Sequence, residues 1–221
     1  SISQKDELYN LINNGQYEKA IEIGKGLLIT EPDSFNTYLS LLKAYNGYCD
    51  YENAQKYIDK SIKLSNVNWQ KSWTFIEATY AFFGAGKVVE ARKMYENAKL
   101  FEGTKKSAKV LNSLSLIFGF DDIYNDWEKV ETENLIFHFQ KGISKNDIDY
   151  IVKSRQNAFE EINSFFQSKL PKKIDFFVWN QSESFNTYLN TNLGFSNPKF
   201  CISHNRLNQS KGHEIAHNIS F

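Results

Sequence analysis

Gly15-Gln16-Tyr17-Glu18-Lys19-Ala20-Ile21 returns as Cys49-Asp50-Tyr51-Glu52-Asn53-Ala54-Gln55, and again as Gly86-Lys87-Val88-Val89-Glu90-Ala91-Arg92. Tyr17 and Tyr51, like Ala20 and Ala54, stand 34 residues apart, and the third copy follows the second after 37. A period of this length dictates stacked units, none of which buries its apolar face without a neighbour. Leu8, Leu11 and Ile12, then Ala20, Ile21, Leu27 and Leu28, recur at helical spacing, so each unit reads as helical. Glu31-Pro32-Asp33 closes one unit, because proline disfavours helix at the residue before it. The three extra residues of the third period are expected in the loop around Asn66 to Gln70. A further helix over residues 104–118 is expected to cap the exposed end of the stack.

These residues resemble tetratricopeptide repeats, over about residues 4–102. The resemblance implies two helices per unit, with Ala20, Ala54 and Ala91 as the small residues that let them pack closely. It also implies that Tyr17, Tyr51 and Val88 wedge into that interface. Such arrays bind a peptide or protein partner in a concave groove, or scaffold a neighbouring domain. Two positions depart from the pattern: Cys49 replaces the usual glycine, and Asn66 stands where proline is common.

Phe118-Gly119-Phe120-Asp121-Asp122 breaks the helical pattern, and the chain reads as two domains, 1–118 and 125–221. Beyond the break the periodicity becomes alternating. Residues 127–132 and 134–139 read as two strands joined by a tight turn. An amphipathic helix follows over residues 146–170, stopped by Pro171. Residues 174–179, Ile-Asp-Phe-Phe-Val-Trp, are apolar enough for a central strand. A short helix over residues 182–189 and a last strand over residues 199–204 precede the final helix.

That final helix carries Gly212-His213-Glu214-Ile215-Ala216-His217, an H-E-x-x-H pattern. Four residues advance a helix by about 400°, so His213 and His217 stack one turn apart on one face. Two imidazoles so placed suit one tetrahedral zinc ion, and Glu214 on the adjacent face suits a general base. The helix flanks are uncharged at Ile215, Ala216, Asn218 and Ile219, while Lys211 is a charged exception. His138 and His204 are the remaining histidines; a strand histidine is more often satisfied by a local hydrogen bond than by a metal. Cys201-x-x-His204 is read as structural, and the free thiols Cys49 and Cys201 as no disulfide framework.

The order of strands and helices ending in this pattern is similar to the N-terminal half of gluzincin peptidases, especially the bacterial peptidase-MA-like group. The resemblance covers residues 125–221 and implies an α plus α+β protein: a tetratricopeptide array followed by the sheet-and-helix part of a zincin-like metallopeptidase domain. It implies one zinc ion on His213 and His217, Glu214 as the catalytic base, and peptide or protein substrates. It further implies that the strand around Phe200 to Ser203 is the sheet edge that pairs with substrate. In gluzincins a glutamate some 20 or more residues further on is the third ligand. Only four residues follow His217, so the expectation is that this ligand and the helical cover of the cleft lie beyond Phe221. The other reading is a non-catalytic interaction module with a relic peptidase domain.

Composition narrows the field. The 221 residues are 41% hydrophobic and 15% aromatic, enough for real cores, and the formal net charge is zero. A neutral chain has no electrostatic footprint for nucleic acid or an anionic membrane. No apolar run approaches the roughly 18 residues of a membrane span. Ser1-Ile2-Ser3-Gln4-Lys5-Asp6 is too polar for a signal peptide, and a signal removed earlier would leave no trace, so the compartment stays open.

Overall fold

A computed structural model describes residues 3–180 and 182–221, the side chain of Ser182 excepted. Two compact units divide the chain at Ser1–Asn112 and Ser113–Phe221. The first is helical; the second holds a mixed five-stranded sheet.

The helices of the first unit are α1 (Gln4–Asn13), α2 (Tyr17–Thr30), α3 (Phe35–Gly47), α4 (Tyr51–Gln55), α5 (Ile58–Leu64), α6 (Asn68–Gly84), α7 (Val88–Lys99) and the start of α8 (Lys105–Ile117). Three of its turns are built alike. Gly15, Cys49 and Gly86 all lie in the left-handed region, at φ of 72°, 61° and 78°. In each turn, two successive N–H groups satisfy carbonyls at the end of the preceding helix: Gly15 to Ile12 and Gln16 to Leu11, Cys49 to Asn46 and Asp50 to Tyr45, Gly86 to Phe83 and Lys87 to Phe82. The next helix begins one or two residues later. Packing repeats as well. A Cβ on Gly47 would stand 2.2 Å from the Tyr17 ring, and one on Gly84 would stand 2.3 Å from the Tyr51 ring. Ala20, Ala54 and Ala91 have no exposed surface. The third unit differs, because Val88 is 39% exposed whereas Tyr51 is 4% exposed.

Cys49 bears a Cβ where the other two turns have glycine. A left-handed L-residue costs roughly 1–2 kcal/mol, and part of any gain from glycine is offset by the freer unfolded chain. Cys49→Gly is therefore expected to stabilise the helical unit by about 0.5–1 kcal/mol. A raised urea midpoint at unchanged m-value checks this; a lowered midpoint would mean that the thiol contributes packing that outweighs the strain.

The three extra residues do not lie in a loop. The connection before α6 is short, and α6 has 17 residues against 13 in α3. Asn66 replaces the proline-bearing turn, and the Gln70 side chain accepts the Asn66 N–H at 2.8 Å, closing the helix start. The insertion thus lengthens the helix.

In the second unit, β1 (Glu128–Glu131), β2 (Leu135–Phe139), β3 (Ile174–Trp179), β4 (Phe195–Asn197) and β5 (Ile202–Arg206) form a sheet of order β1-β2-β3-β5-β4. β2, β3 and β5 are parallel, and the edges β1 and β4 are antiparallel to their neighbours. Every residue of the central strand β3 is buried, as a run that is apolar but for Asp175 requires. One sheet face carries Leu135, Phe137, Phe139, Ile174, Phe176 and Val178. It packs against α9 (Lys145–Phe166) and α11 (His213–Ile219) through Ile148, Ile151, Phe159, Ile215 and Ile219. On the other face, four rings stack across neighbouring strands: His138 on Phe177 at 4.2 Å, Phe177 on His204 at 4.4 Å and His204 on Phe195 at 5.1 Å. Tyr124 and Trp127 meet Phe177 edge-on, and Trp179 meets Phe185 of α10 (Ser182–Leu189).

Two expectations about element ends are corrected. α9 stops at Phe166, not at Pro171, because Gln167 turns left-handed at φ 53° and the Asn163 side chain captures both the N–H and the carbonyl of Ser168. The last part of the sheet is two strands joined by a 3-10 turn over Pro198–Phe200, rather than one strand over residues 199–204. Among the described residues, no helix is long and apolar enough to cross a membrane.

Candidate metal centre

The position of α11 is fixed from two sides. Gly212, its N-cap, lies so close to α9 that a Cβ would stand 3.1 Å from Ile162 Cδ1. Ile215 and Ile219, at 0% and 2% exposure, anchor the inner face of α11 in the core. With that face buried, the helical period turns His213 and His217 outward, and the His213 side chain is 61% exposed.

The two histidines converge. Their Nε2 atoms are 3.3 Å apart, and the rings meet edge-on at 4.8 Å between centroids. Two Zn–N bonds of 2.0–2.1 Å at a tetrahedral angle place the nitrogens about 3.3–3.4 Å apart. The pair therefore has the bite of one tetrahedral ion, and imidazole nitrogen is a donor that suits zinc. Among the described residues, no group of three or more His, Cys, Asp or Glu side chains is gathered to hold a metal.

Glu214 lies on the adjacent side of the helix, between the histidine pair and β4, and is 4% exposed. Its Oε1 lies 3.9 Å from His213 Nε2 and accepts a hydrogen bond from Gln209 Nε2 at 2.9 Å. Its Oε2 accepts one from the Ser196 hydroxyl on β4. Asn218 Nδ2 donates to the Glu214 carbonyl at 2.8 Å, tying the side of the helix that carries the carboxylate. A buried carboxylate stays tolerable only when donors replace its water, and here each oxygen has one. Ser196 and Gln209 were not legible as site residues. They lie 18 residues before and 5 before Glu214, spacings that no helical or strand period brings together.

The other histidines face away from this pair. His204 is fully buried on the sheet face opposite α11; its Nδ1 accepts from Trp179 Nε1 at 3.1 Å and its Nε2 donates to the Ile117 carbonyl at 2.9 Å. Both nitrogens are committed, and burial pushes the imidazole pKa down to about 4. His138 shares that face and bonds Asp175 at 2.8 Å. Asp175, nearly buried, has its pKa lowered to about 2: burial opposes the charge, and the charges of Lys172 and His138 together with their hydrogen bonds outweigh it. Cys201 packs in the core on the α11 side, so Cys201 and His204 straddle the sheet and share no site.

The edge expected around Phe200 to Ser203 is also corrected. β5 has a neighbour on each side, and Ile202 and Ser203 have no exposed surface. The edge beside α11 is instead β4, whose three residues offer too short an alternation to be read. Compared with models of protein families and with curated proteins, the chain matches none.

Proposed function

We propose that the second unit is the sheet-and-helix part of a zinc-dependent metallopeptidase, and that the first is a tetratricopeptide-type array that scaffolds it or recruits a protein partner. The observation that carries the reading is the 3.3 Å separation of His213 Nε2 and His217 Nε2, with the Glu214 carboxylate beside them. A zinc ion held there supplies Lewis acidity, which polarises a carbonyl and acidifies water. His213 and His217 would hold it through Nε2. Glu214 takes a proton from the attacking water and returns it to the amine as the C–N bond breaks. The outer edge of β4 is where an extended peptide adds as a strand, since among the described residues its outward N–H and C=O groups have no sheet partner on that side.

Zinc titration against a chromophoric chelator tests the metal centre. One zinc per chain is expected, and His213→Gln or His217→Gln is expected to weaken binding by at least about 100-fold, because losing one of two ligands from a helix removes the chelate. Equal zinc affinity in either variant would remove this pair as the site and leave the repeat array as the functional part.

A further inference from the structure

The carboxylate of Glu214 is held by more than its helix. Oε1 and Oε2 each have a dedicated donor, Gln209 from the β5–α11 loop and Ser196 from the edge strand. Gln209 is itself over-determined. Its backbone carbonyl accepts from Arg155 Nη2 at 2.9 Å, and Arg155 is 4% exposed. Its Oε1 accepts the Arg206 N–H at 3.2 Å, and this fixes which end of the amide is the donor toward Glu214. Gly194 makes the room: a Cβ there would stand 2.0 Å from Gln209 Oε1 and 2.1 Å from Nε2. The residue is thus held by its backbone carbonyl from α9 and by two hydrogen bonds on its side-chain amide, from Arg206 of β5 and to Glu214 of α11, with Gly194 packed against that amide.

We infer that Gln209 is a positioning residue for the Glu214 base, with Ser196 as its counterpart on the second oxygen. The inference rests on the metallopeptidase reading proposed above. Oε1 is the oxygen that lies 3.9 Å from His213 Nε2. A carboxylate oxygen offers two lone pairs; Gln209 occupies one and aims the other toward the histidine pair, where the proton from water arrives. Without Gln209, the carboxyl group turns about its last bond, whose rotation is soft, and the aimed lone pair is lost. Ser196 sets the same plane from the other side, so the edge strand and the base move as one piece.

The experiment compares zinc-loaded protein, expressed from its whole natural reading frame, carrying Gln209→Met, Ser196→Ala, Glu214→Gln and the Gln209→Met/Glu214→Gln pair on a fluorogenic peptide. Gln209→Met keeps the length of the side chain and removes the donor. It is expected to lower kcat about 10- to 100-fold, with KM and zinc affinity within about threefold of the parent. Added to Glu214→Gln it is expected to cost nothing more, because there is then no base to aim. Ser196→Ala is expected to lose about 3- to 30-fold in kcat. In the metal-free protein, a slowly exchanging Gln209 side-chain amide proton is expected by NMR and is lost in Glu214→Ala. An unchanged kcat in Gln209→Met, a further loss in the double variant, or a fast-exchanging amide overturns the positioning role. No hydrolysis by the parent protein expressed from its whole natural reading frame overturns the peptidase reading and this role with it, whereas parental hydrolysis with an unaffected Gln209→Met overturns the role alone.

Discussion

Glu214→Gln is expected to abolish peptide hydrolysis, by about 10²- to 10⁴-fold, while zinc affinity stays within about threefold of the parent. The argument is one of protons. Gln has the size of Glu, and Ser196 can still donate to its side-chain carbonyl. An amide oxygen is far too weak a base to take a proton from water, so the step assigned to Glu214 has no acceptor. Zinc affinity is spared because Glu214 lies beside the pair and is not a ligand, its Oε1 being 3.9 Å from His213 Nε2. The cost to folding is small, about 1 kcal/mol, since Gln fills the same buried space, although its NH2 group then faces Gln209 Nε2 donor to donor. The measurement is kcat on a peptide alongside zinc titration of the same preparation. Hydrolysis within tenfold of the parent at full zinc occupancy would sink the base role. Loss of zinc together with hydrolysis would make Glu214 a ligand or a structural prop.

What the residues alone disclosed depends on whether the governing interaction was local. The turns at Gly15, Cys49 and Gly86 share one closing hydrogen-bond pattern, which is why a period in sequence became a period in space. The bite of His213 and His217 is likewise a property of one helix turn. Ends of elements were less legible. Asn163 stops α9 by bonding Ser168, and a side-chain cap of that kind leaves a weaker mark than the proline further on. The start of α6 depends on Gln70 reaching back to Asn66. Least legible were the partners of Glu214. Ser196 reaches it only because β4 pairs with β5 in the register that sets Ser196 against Ser203, and that register is a tertiary fact. Gln209 needs the absent side chain of Gly194 and the buried Arg155, from two other segments.

The sheet-bearing unit is expected to lose about 3 kcal/mol of stability between pH 7 and pH 4 through His204 alone. The folded imidazole has its pKa lowered from 6.5 to about 4, first by burial, with the nearby His138 adding to the shift and the Ile117 hydrogen bond and Asp175 opposing it. The geometry agrees with the direction. Nδ1 already accepts the Trp179 N–H at 3.1 Å, so a second proton on that nitrogen would set donor against donor in a sealed site. Because the folded pKa is depressed, the unfolded chain binds the proton first. Stability is therefore full above pH 6.5, falls as the pH drops toward 4, and flattens below it. Trp69 and Trp73 belong to the helical unit, so a chain with both changed to Phe would report the second unit through Trp127 and Trp179. Urea unfolding of that chain at pH 7 and 4.5 gives the slope directly. His204→Gln should begin less stable, having lost the ring stack with Phe177 and Phe195, and should show little dependence between those two pH values. A parent chain equally stable at both, or a His204 ring that titrates near its ordinary value by NMR, would mean that the proton finds an acceptor inside the sheet layer and that the Trp179–His204 contact yields to it.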